Sequence, residues 1–305
     1  MADSAWVGHP LVGELLTRCG FPPPGTAVTC AVSGGADSTA LLALAVAAGC
    51  EVTAVHVDHG LRPGSADEAA VVARSATLLG AAFRSVTVHV GEGPNLEARA
   101  RSARYAALPA DVLTGHTADD QAETVLVNLL RGAGVSGIAG MRADARRPLL
   151  GVRRADTERL CELLARDPGV LLVHDPSNLD PRHLRNRVRH ELLPLMADLS
   201  QRDPVPVLAR QAALARDDAE FLDTAALAID PTDARQLAAA PAALARRAVR
   251  RWLTGEHPPD AATVERVMAV ARGEALGTEI GGGRRVTRHA RRLVLRPEAD
   301  PSESE

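Results

Sequence analysis

Val28–Ser38 reads VTCAVSGGADS, an apolar run that ends in a Ser-Gly-Gly-x-Asp-Ser loop. Ala27 to Val32 suits a buried parallel strand, and the following DSTALLALAVAAG has helical composition, so the loop falls at a strand-to-helix turn. Such a turn is built to receive an anion. Gly34 and Gly35 let backbone N–H groups approach, Ser33 and Ser38 add hydroxyl donors, and the helix N-terminus carries partial positive charge. The same residues also make good turn and N-cap chemistry in a protein that binds no nucleotide. The type of loop is narrower. The chain contains no lysine and its 35 basic residues are all arginine, which excludes a Gly-Lys Walker loop. No G-x-G-x-x-G follows the strand, which counts against a dinucleotide site.

Working outward, apolar β-like runs alternate with helical segments through about residue 150, the pattern of a doubly wound parallel sheet. This predicts strands at Ala27–Val32, Glu51–Val57, Phe83–Val90 and Asp111–Thr114, with helices at Ser38–Ala48, Ser65–Leu79, Leu96–Leu108 and Ala118–Arg131. Ligands of such sheets bind beyond the carboxyl ends of the strands. HVDHGLRPGSADE (56–68) follows the second strand and places His56, Asp58, His59 and Arg62 near the loop; a guanidinium at this rim suits a phosphate, although a solvated loop has the same composition. TGHTADDQAET (114–124) follows the fourth. A helix starting near Ala118 sets Asp119, Asp120 and Glu123 in its first turns, where acids also stabilise a helix N-terminus. Asp120 and Glu123 share a helical face with His116 just before them, a donor set for magnesium or for an amine. Zinc is the rival reading, but no protein-only tetrahedral set completes it.

A chain of 305 residues, 46% hydrophobic, with a net charge of −3 fits a two-domain enzyme with an ample core and no global nucleic-acid signature. Cys19, Cys30, Cys50 and Cys161 are scattered without a Cys-x-x-Cys pair, which argues against a disulfide scaffold, a zinc knuckle and an iron–sulfur site. There is no basic N-terminal region followed by an apolar core, so a cytoplasmic location is expected. Basic clusters are local. Asp175–His190 carries Arg182, Arg185, Arg187 and Arg189, with Asn186 as a candidate helix cap. LLRGAGVSGIAGM (129–141), with Arg131, reads as a flexible glycine-rich loop. From about Asp198 the texture changes to Ala-rich, Arg-studded helices punctuated by prolines, so the expected domains are 1–197 and 198–305. There Arg246, Arg247, Arg250 and Arg251, and the tail GGGRRVTRHARRLVLR with its expected β-hairpin, are either solvated charge or a platform for phosphates; the platform is preferred.

The loop resembles the PP-loop of the N-type ATP pyrophosphatases, which activate a substrate by transferring AMP from ATP. An ordered set of segments resembles one family within them, the tRNA(Ile)-lysidine synthetases: SGGADS (33–38), HVDHGLR (56–62), NLEARARSARY (95–105), GHTADDQAET (115–124), LLRGAGVSGIAGM (129–141), RPLL (147–150) and DPSNLDPRHLRNRVRHELLP (175–194). The family often has two adjacent histidines where this chain has His116-Thr117. The resemblance implies an adenine nucleotide alpha hydrolase-like catalytic domain, followed by a smaller, mainly helical tRNA-binding domain. It implies adenylation by ATP of the C2 oxygen of the wobble cytidine of tRNA(Ile), then displacement of AMP by free L-lysine, which changes codon reading from AUG to AUA.

Laid against that reaction, Ser33, Gly34, Gly35, Ala36, Asp37, Ser38, His56, Asp58 and Arg62 are expected to bind ATP, and Asp37 and Asp120 to hold Mg2+. Arg101 is expected to stabilise charge on the α-phosphate, His116 to orient a phosphate or move a proton, and Asp120 and Glu123 to capture and deprotonate lysine. Arg131, Arg182, Arg185, Arg189, Arg246, Arg247, Arg250 and Arg251 are expected to contact tRNA. Oligomeric state stays open, a homodimer included. A 2-thiocytidine synthetase would lean on paired cysteines, and a non-catalytic nucleotide- or RNA-binding module would have no need of Asp120 and Glu123 beside an intact loop.

Overall fold

The computed structural model describes residues 5–58, 65–88, 91, 96–173, 180–255 and 258–297, without the side chains of 65, 66, 96–98, 100 and 101. His59, Arg62, residues 174–179 and the side chain of Arg101 lie outside the described residues. The chain forms two compact units, 1–213 and 214–305.

In the first unit β1 (Ala27–Ala31), β2 (Glu51–Asp58) and β3 (Ala82–Thr87) pair in parallel in that order, with Cys30 level with Ala54 and Ala54 level with Phe83. Alternate residues point to opposite faces of a sheet. One set, Cys30, Val52, Ala54 and Phe83, packs with Leu15 and Val12 of α1 (Pro10–Leu16), α2 (Ala36–Ala47), Val72 and Ala76 of α3 (Ser65–Leu79), and Leu160 and Leu164 of α7 (Arg154–Arg166). The other set, Ala31, Val55, Val57 and Val86, packs against Leu108 and Val112. The sheet is thus covered on both faces, as parallel strands require. Helix α2 is buried all round from Thr39 to Ala45, each at most 1% exposed, which fits its uniformly apolar sequence.

The predicted fourth strand is shorter than expected. Only Leu113 bridges β1, on the edge away from β2: Ala31 N–H donates to Leu113 O (2.9 Å) and Leu113 N–H to Thr29 O (2.8 Å). A turn closed by Val112 N–H on Pro109 O precedes it, and Thr114 N–H is drawn off to Arg146 O, so one residue is all that runs beside β1. The order of chains reverses at β1 even so, and the Ser33–Ser38 loop sits at that switch point.

Helices α4 (Leu96–Ala106) and α5 (Ala118–Leu130) follow, then α6 (Val135–Ile138) inside the stretch expected to be flexible. That stretch is held from α5: Gln121 receives Met141 N–H (2.7 Å) and donates to Met141 O (3.0 Å), and Asn128 donates to Gly137 O (2.8 Å). Residues 184–200 form one continuous helix, α8 (Leu184–Arg187) and α9 (Leu193–Ser200) joined by a π turn at Val188–Leu192 in which Leu193 N–H reaches Val188 O. Pro194 supplies the cause, since its ring collides with the carbonyl four residues back in regular α geometry. Asn186 lies inside this helix and binds Asp180 O (2.9 Å); the N-cap is His183, not Asn186.

Helix α10 (Pro204–Ala225) carries the chain into the second unit, which contains α11 (Ala234–Ala239), α12 (Ala242–Leu253), α13 (Ala261–Arg272) and the antiparallel sheet β4 (Gly277–Glu279), β5 (Arg284–His289), β6 (Arg292–Pro297). Ala245, Ala248, Val249 and Leu253 of α12 meet Val264, Val267 and Met268 of α13 and Val286 and Leu293 of the sheet. The β5–β6 hairpin turns through Ala290 and Arg291, both left-handed (φ 46° and 72°), which is the backbone a two-residue primed turn demands. No described helix is long and apolar enough to cross a membrane.

Candidate active site

The N-termini of α2, α5 and α7 meet beside the end of β1. In the loop, Gly35 is the N-cap of α2, Ser33 N–H donates to Ser38 Oγ (3.2 Å) and Ser38 Oγ donates to Gly35 O (2.9 Å). The first amides of α2 have no intrahelical acceptor and are left for a ligand. Gly34 has φ +90°, and a Cβ there would lie 2.5 Å from Val173 Cγ2. Gly34→Ala is therefore expected to cost about 2–5 kcal/mol, overpacking and left-handed strain combined. Chemical denaturation checks this; wild-type stability would contradict the loop as described. Gly115 is constrained as closely, since a Cβ would sit 2.6 Å from Asp37 O, so the GHT segment lies directly on the start of α2.

Charge organises the rest. Arg154, the first residue of α7, spreads its guanidinium over three acids: Nε meets Asp37 Oδ2 (3.3 Å), Nη2 meets Asp120 Oδ1 (3.0 Å) and Nη1 meets Glu123 Oε1 (2.9 Å). Asp37 also accepts from Thr157 Oγ1, a fully buried hydroxyl one turn along α7. Asp120 Oδ2 accepts from Thr117 N–H (2.9 Å) and Oγ1 (3.0 Å), and Asp120 N–H donates back to Thr117 Oγ1 (3.4 Å), a capping box that ties this helix terminus into the cluster. Asp119 grips the guanidinium of Arg153 with both oxygens (3.0 Å each) and caps α7 through Arg154 N–H (2.8 Å).

Glu123 is 0% exposed and takes two further arginines. Arg185 donates Nε to Glu123 Oε2 (2.7 Å) and Nη2 to Asp120 Oδ1 (3.0 Å), while Arg189 donates to both Glu123 oxygens (2.7 and 3.1 Å). Arg185 and Arg189 are four apart and share a helix face, which is why both reach one carboxylate. Burial pushes the Asp37 carboxyl up, against the pull of Thr157 and Arg154. Burial would raise Asp120 as well, but the Arg154 and Arg185 guanidiniums and the Thr117 amide bring it below its ordinary value. Arg154 is more firmly protonated than usual: burial opposes the charge, and Asp120, Glu123 and Asp37 outweigh it. Beside them, burial and then Asp37 push the Cys161 thiol up to about 12, so it is no thiolate nucleophile at neutral pH.

The structure therefore brings together the Ser33–Ser38 loop, Asp37, Asp120 and Glu123. His116 stands at the entrance to α5 with its Nδ1 2.8 Å from Thr114 Oγ1. His56 is buried beneath the loop, its Nδ1 2.9 Å from Val32 O, which places it as a support for the loop's entry. Asp58 ends β2, opposite Thr87. Among the arginines expected to form a tRNA surface, Arg185 and Arg189 instead turn inward onto Glu123. The reason is the i,i+4 spacing that presents both to a buried carboxylate that shares its other partner, Arg154, with Asp37 and Asp120. Arg182 is exposed and pairs with the half-buried Asp180, and Arg131 is exposed at the end of α5. In the second unit Arg246 pairs with Glu265, Arg247 with Asp223, and Arg251 donates to Ala226 O, while Arg250 is exposed.

Arg153, Arg154 and Thr157 are the site residues that sequence reasoning passed over. A signal existed, because two arginines opening a helix oppose its dipole and need acidic partners. Of the expected magnesium ligands, Asp120 has both oxygens taken by Thr117, Arg154 and Arg185, while each oxygen of Asp37 accepts one protein donor. No group of three or more His, Cys, Asp or Glu with metal spacing occurs among the described residues.

Residues 14–196 match a protein-family model described as the PP-loop domain. The tRNA(Ile)-lysidine synthase of Nocardia farcinica is 44% identical over 92% of this chain and 94% of its own. That of Thermobifida fusca is 39% identical over 90% and 92%. Among solved structures, the U34-tRNA thiolase NcsA of Methanococcus maripaludis superposes with a TM-score of 0.54 at 16% identity, covering 70% of this chain and 80% of that one, a likeness of fold alone. With a PP-loop at the switch point of its sheet and relatives that match over most of the chain, the chain belongs to the tRNA(Ile)-lysidine synthase family of ATP-dependent ligases.

Proposed function

We propose that this protein ligates free L-lysine onto C2 of the wobble cytidine in the CAU anticodon of tRNA(Ile), through an adenylated cytidine. In the first step the C2 oxygen attacks the α-phosphorus of ATP and the bond to the bridging oxygen breaks, releasing pyrophosphate. The loop amides of Gly34, Gly35 and Ala36, with the Ser33 and Ser38 hydroxyls, receive the leaving phosphates at the α2 N-terminus. In the second step the lysine ε-amine attacks C2 and AMP leaves; Asp120 and Glu123 hold the ammonium and accept its proton. Magnesium would accompany ATP, with Asp37 and Asp120 the residues to hold it and neutralise phosphate charge, and no step is routed through it. Arg62 and Arg101 remain candidates for the phosphates, with His116 for orientation.

One observation carries the reading. The phosphate loop and the acidic pair on α5 are joined through a single guanidinium, Arg154, so the nucleotide end and the amine end share one electrostatic cluster. Pyrophosphate exchange into ATP tests which oxygen is adenylated. Exchange is expected with an unmodified tRNA(Ile) transcript and no lysine; exchange with lysine and no tRNA would overturn the reading.

In the proposed division, residues through 197 do the chemistry and those from 198 hold tRNA through Arg246, Arg247, Arg250 and Arg251, aided by Arg131 and Arg182. Because Arg246, Arg247 and Arg251 also bond within their own unit, Arg250→Gln forms the cleaner test. It is expected to flatten the slope of log affinity against log salt by about one for every phosphate no longer neutralised. An unchanged slope would make it ordinary surface.

A further inference from the structure

In the arrangement described, a lysine ammonium finds no open acceptor on Asp120 or Glu123. A carboxylate offers about four lone-pair sites. Those of Glu123 are filled by Arg154, Arg185 and two nitrogens of Arg189. Those of Asp120 are filled by Arg154, Arg185 and the amide and hydroxyl of Thr117. Three carboxylates face three guanidiniums, so a fourth cation would enter a buried site with no charge left to balance it. Something anionic has to draw a guanidinium away first, and a phosphate suits the planar guanidinium fork.

We infer that the lysine site is created by the nucleotide: phosphate oxygens draw the Arg154 guanidinium off Asp120 and Glu123, and the lysine ammonium takes its place. Arg154 is the arginine placed to move. It touches Asp37 in the first turn behind the phosphate loop, whereas Arg185 and Arg189 approach from the helix over 184–200 and reach Asp120 and Glu123 on α5. Its backbone N–H is fixed by Asp119 (2.8 Å), so the exchange needs only the side chain. Its place at the start of α7 is unfavourable for a cation, and the carboxylates alone hold it there. The consequence is ordered binding, with lysine withheld until a nucleotide is present. By linkage, lysine strengthens nucleotide binding by the same factor.

This rests on the proposed function, and equilibrium dialysis of radiolabelled L-lysine against the full chain separates the two. Affinity is measured without nucleotide and with α,β-methylene-ATP plus tRNA(Ile) transcript. The loaded protein is expected to bind lysine at least about tenfold more tightly. Arg154→Gln should shrink that ratio below about threefold by strengthening binding to the nucleotide-free protein, and if this variant does not fold, the wild-type ratio decides. A wild-type ratio under tenfold, or lysine bound in neither state at concentrations where lysidine forms, overturns the ordered exchange and leaves the proposed function standing. Failure to form lysidine at all overturns the function instead.

Discussion

Replacing Glu123 by alanine is expected to lower the stability of the first unit by about 3–5 kcal/mol, the cost of removing one partner from a buried ion pair. Few single changes elsewhere should cost as much. Glu123 is fully buried and compensates Arg154, Arg185 and Arg189 together, so its loss leaves three guanidiniums facing Asp120 and Asp37 alone. Glu123→Gln should recover packing and little of the stability, because the amide cannot balance their charge. Urea denaturation of the two variants reads this out. If Glu123→Ala unfolds at the wild-type midpoint, the cluster is not the electrostatic centre described.

The second large effect concerns Asp37. Asp37→Asn is expected to slow adenylation by about 10²–10³-fold, the scale seen when one preorganised polar group at a reacting phosphate or carbonyl is removed. The carboxylate anchors Thr157 and Arg154 at the start of α2, and an amide can accept from only one of its two ends. Affinity for tRNA should change little, because the bonds described for Asp37 run to Thr157 and Arg154 and not to the arginines proposed to hold tRNA. Single-turnover AMP formation together with filter binding separates the two effects. Adenylation within a few-fold of wild type would remove Asp37 from the site.

How far the sequence disclosed this site follows from the range of the contacts involved. Local patterns were readable: the apolar run into Ser33–Ser38, the helix beginning at Ala118, and the hairpin near Ala290 each depend on neighbours in the chain. The doubly wound order was readable too, although the fourth strand dwindled to Leu113 because competition from Arg146 for the Thr114 amide is a contact 32 residues away. The identity of the charged partners was not. Arg185 and Arg189 looked like an RNA-facing patch because composition reports charge and not direction, and only the meeting of α5 with the helix over 184–200 turns them onto Glu123. Arg154 lies 117 residues from Asp37 and was invisible to any local window, except as a cation at a helix start where a cation does not belong. The glycines of 129–141 suggest a flexible loop, and nothing local in them reveals that Gln121 and Asn128 bond Met141 and Gly137 within it.

The central claim is that one cluster joins an adenylating loop to an amine-binding acidic pair. It is tested most directly by nuclease digestion and mass spectrometry of tRNA(Ile) transcript incubated with this protein, ATP and L-lysine. The expected result is a single new nucleoside with the mass of cytidine plus lysine less water, formed at the wobble position and absent when either ATP or lysine is omitted. AMP release with the wobble cytidine returned unmodified would contradict the account.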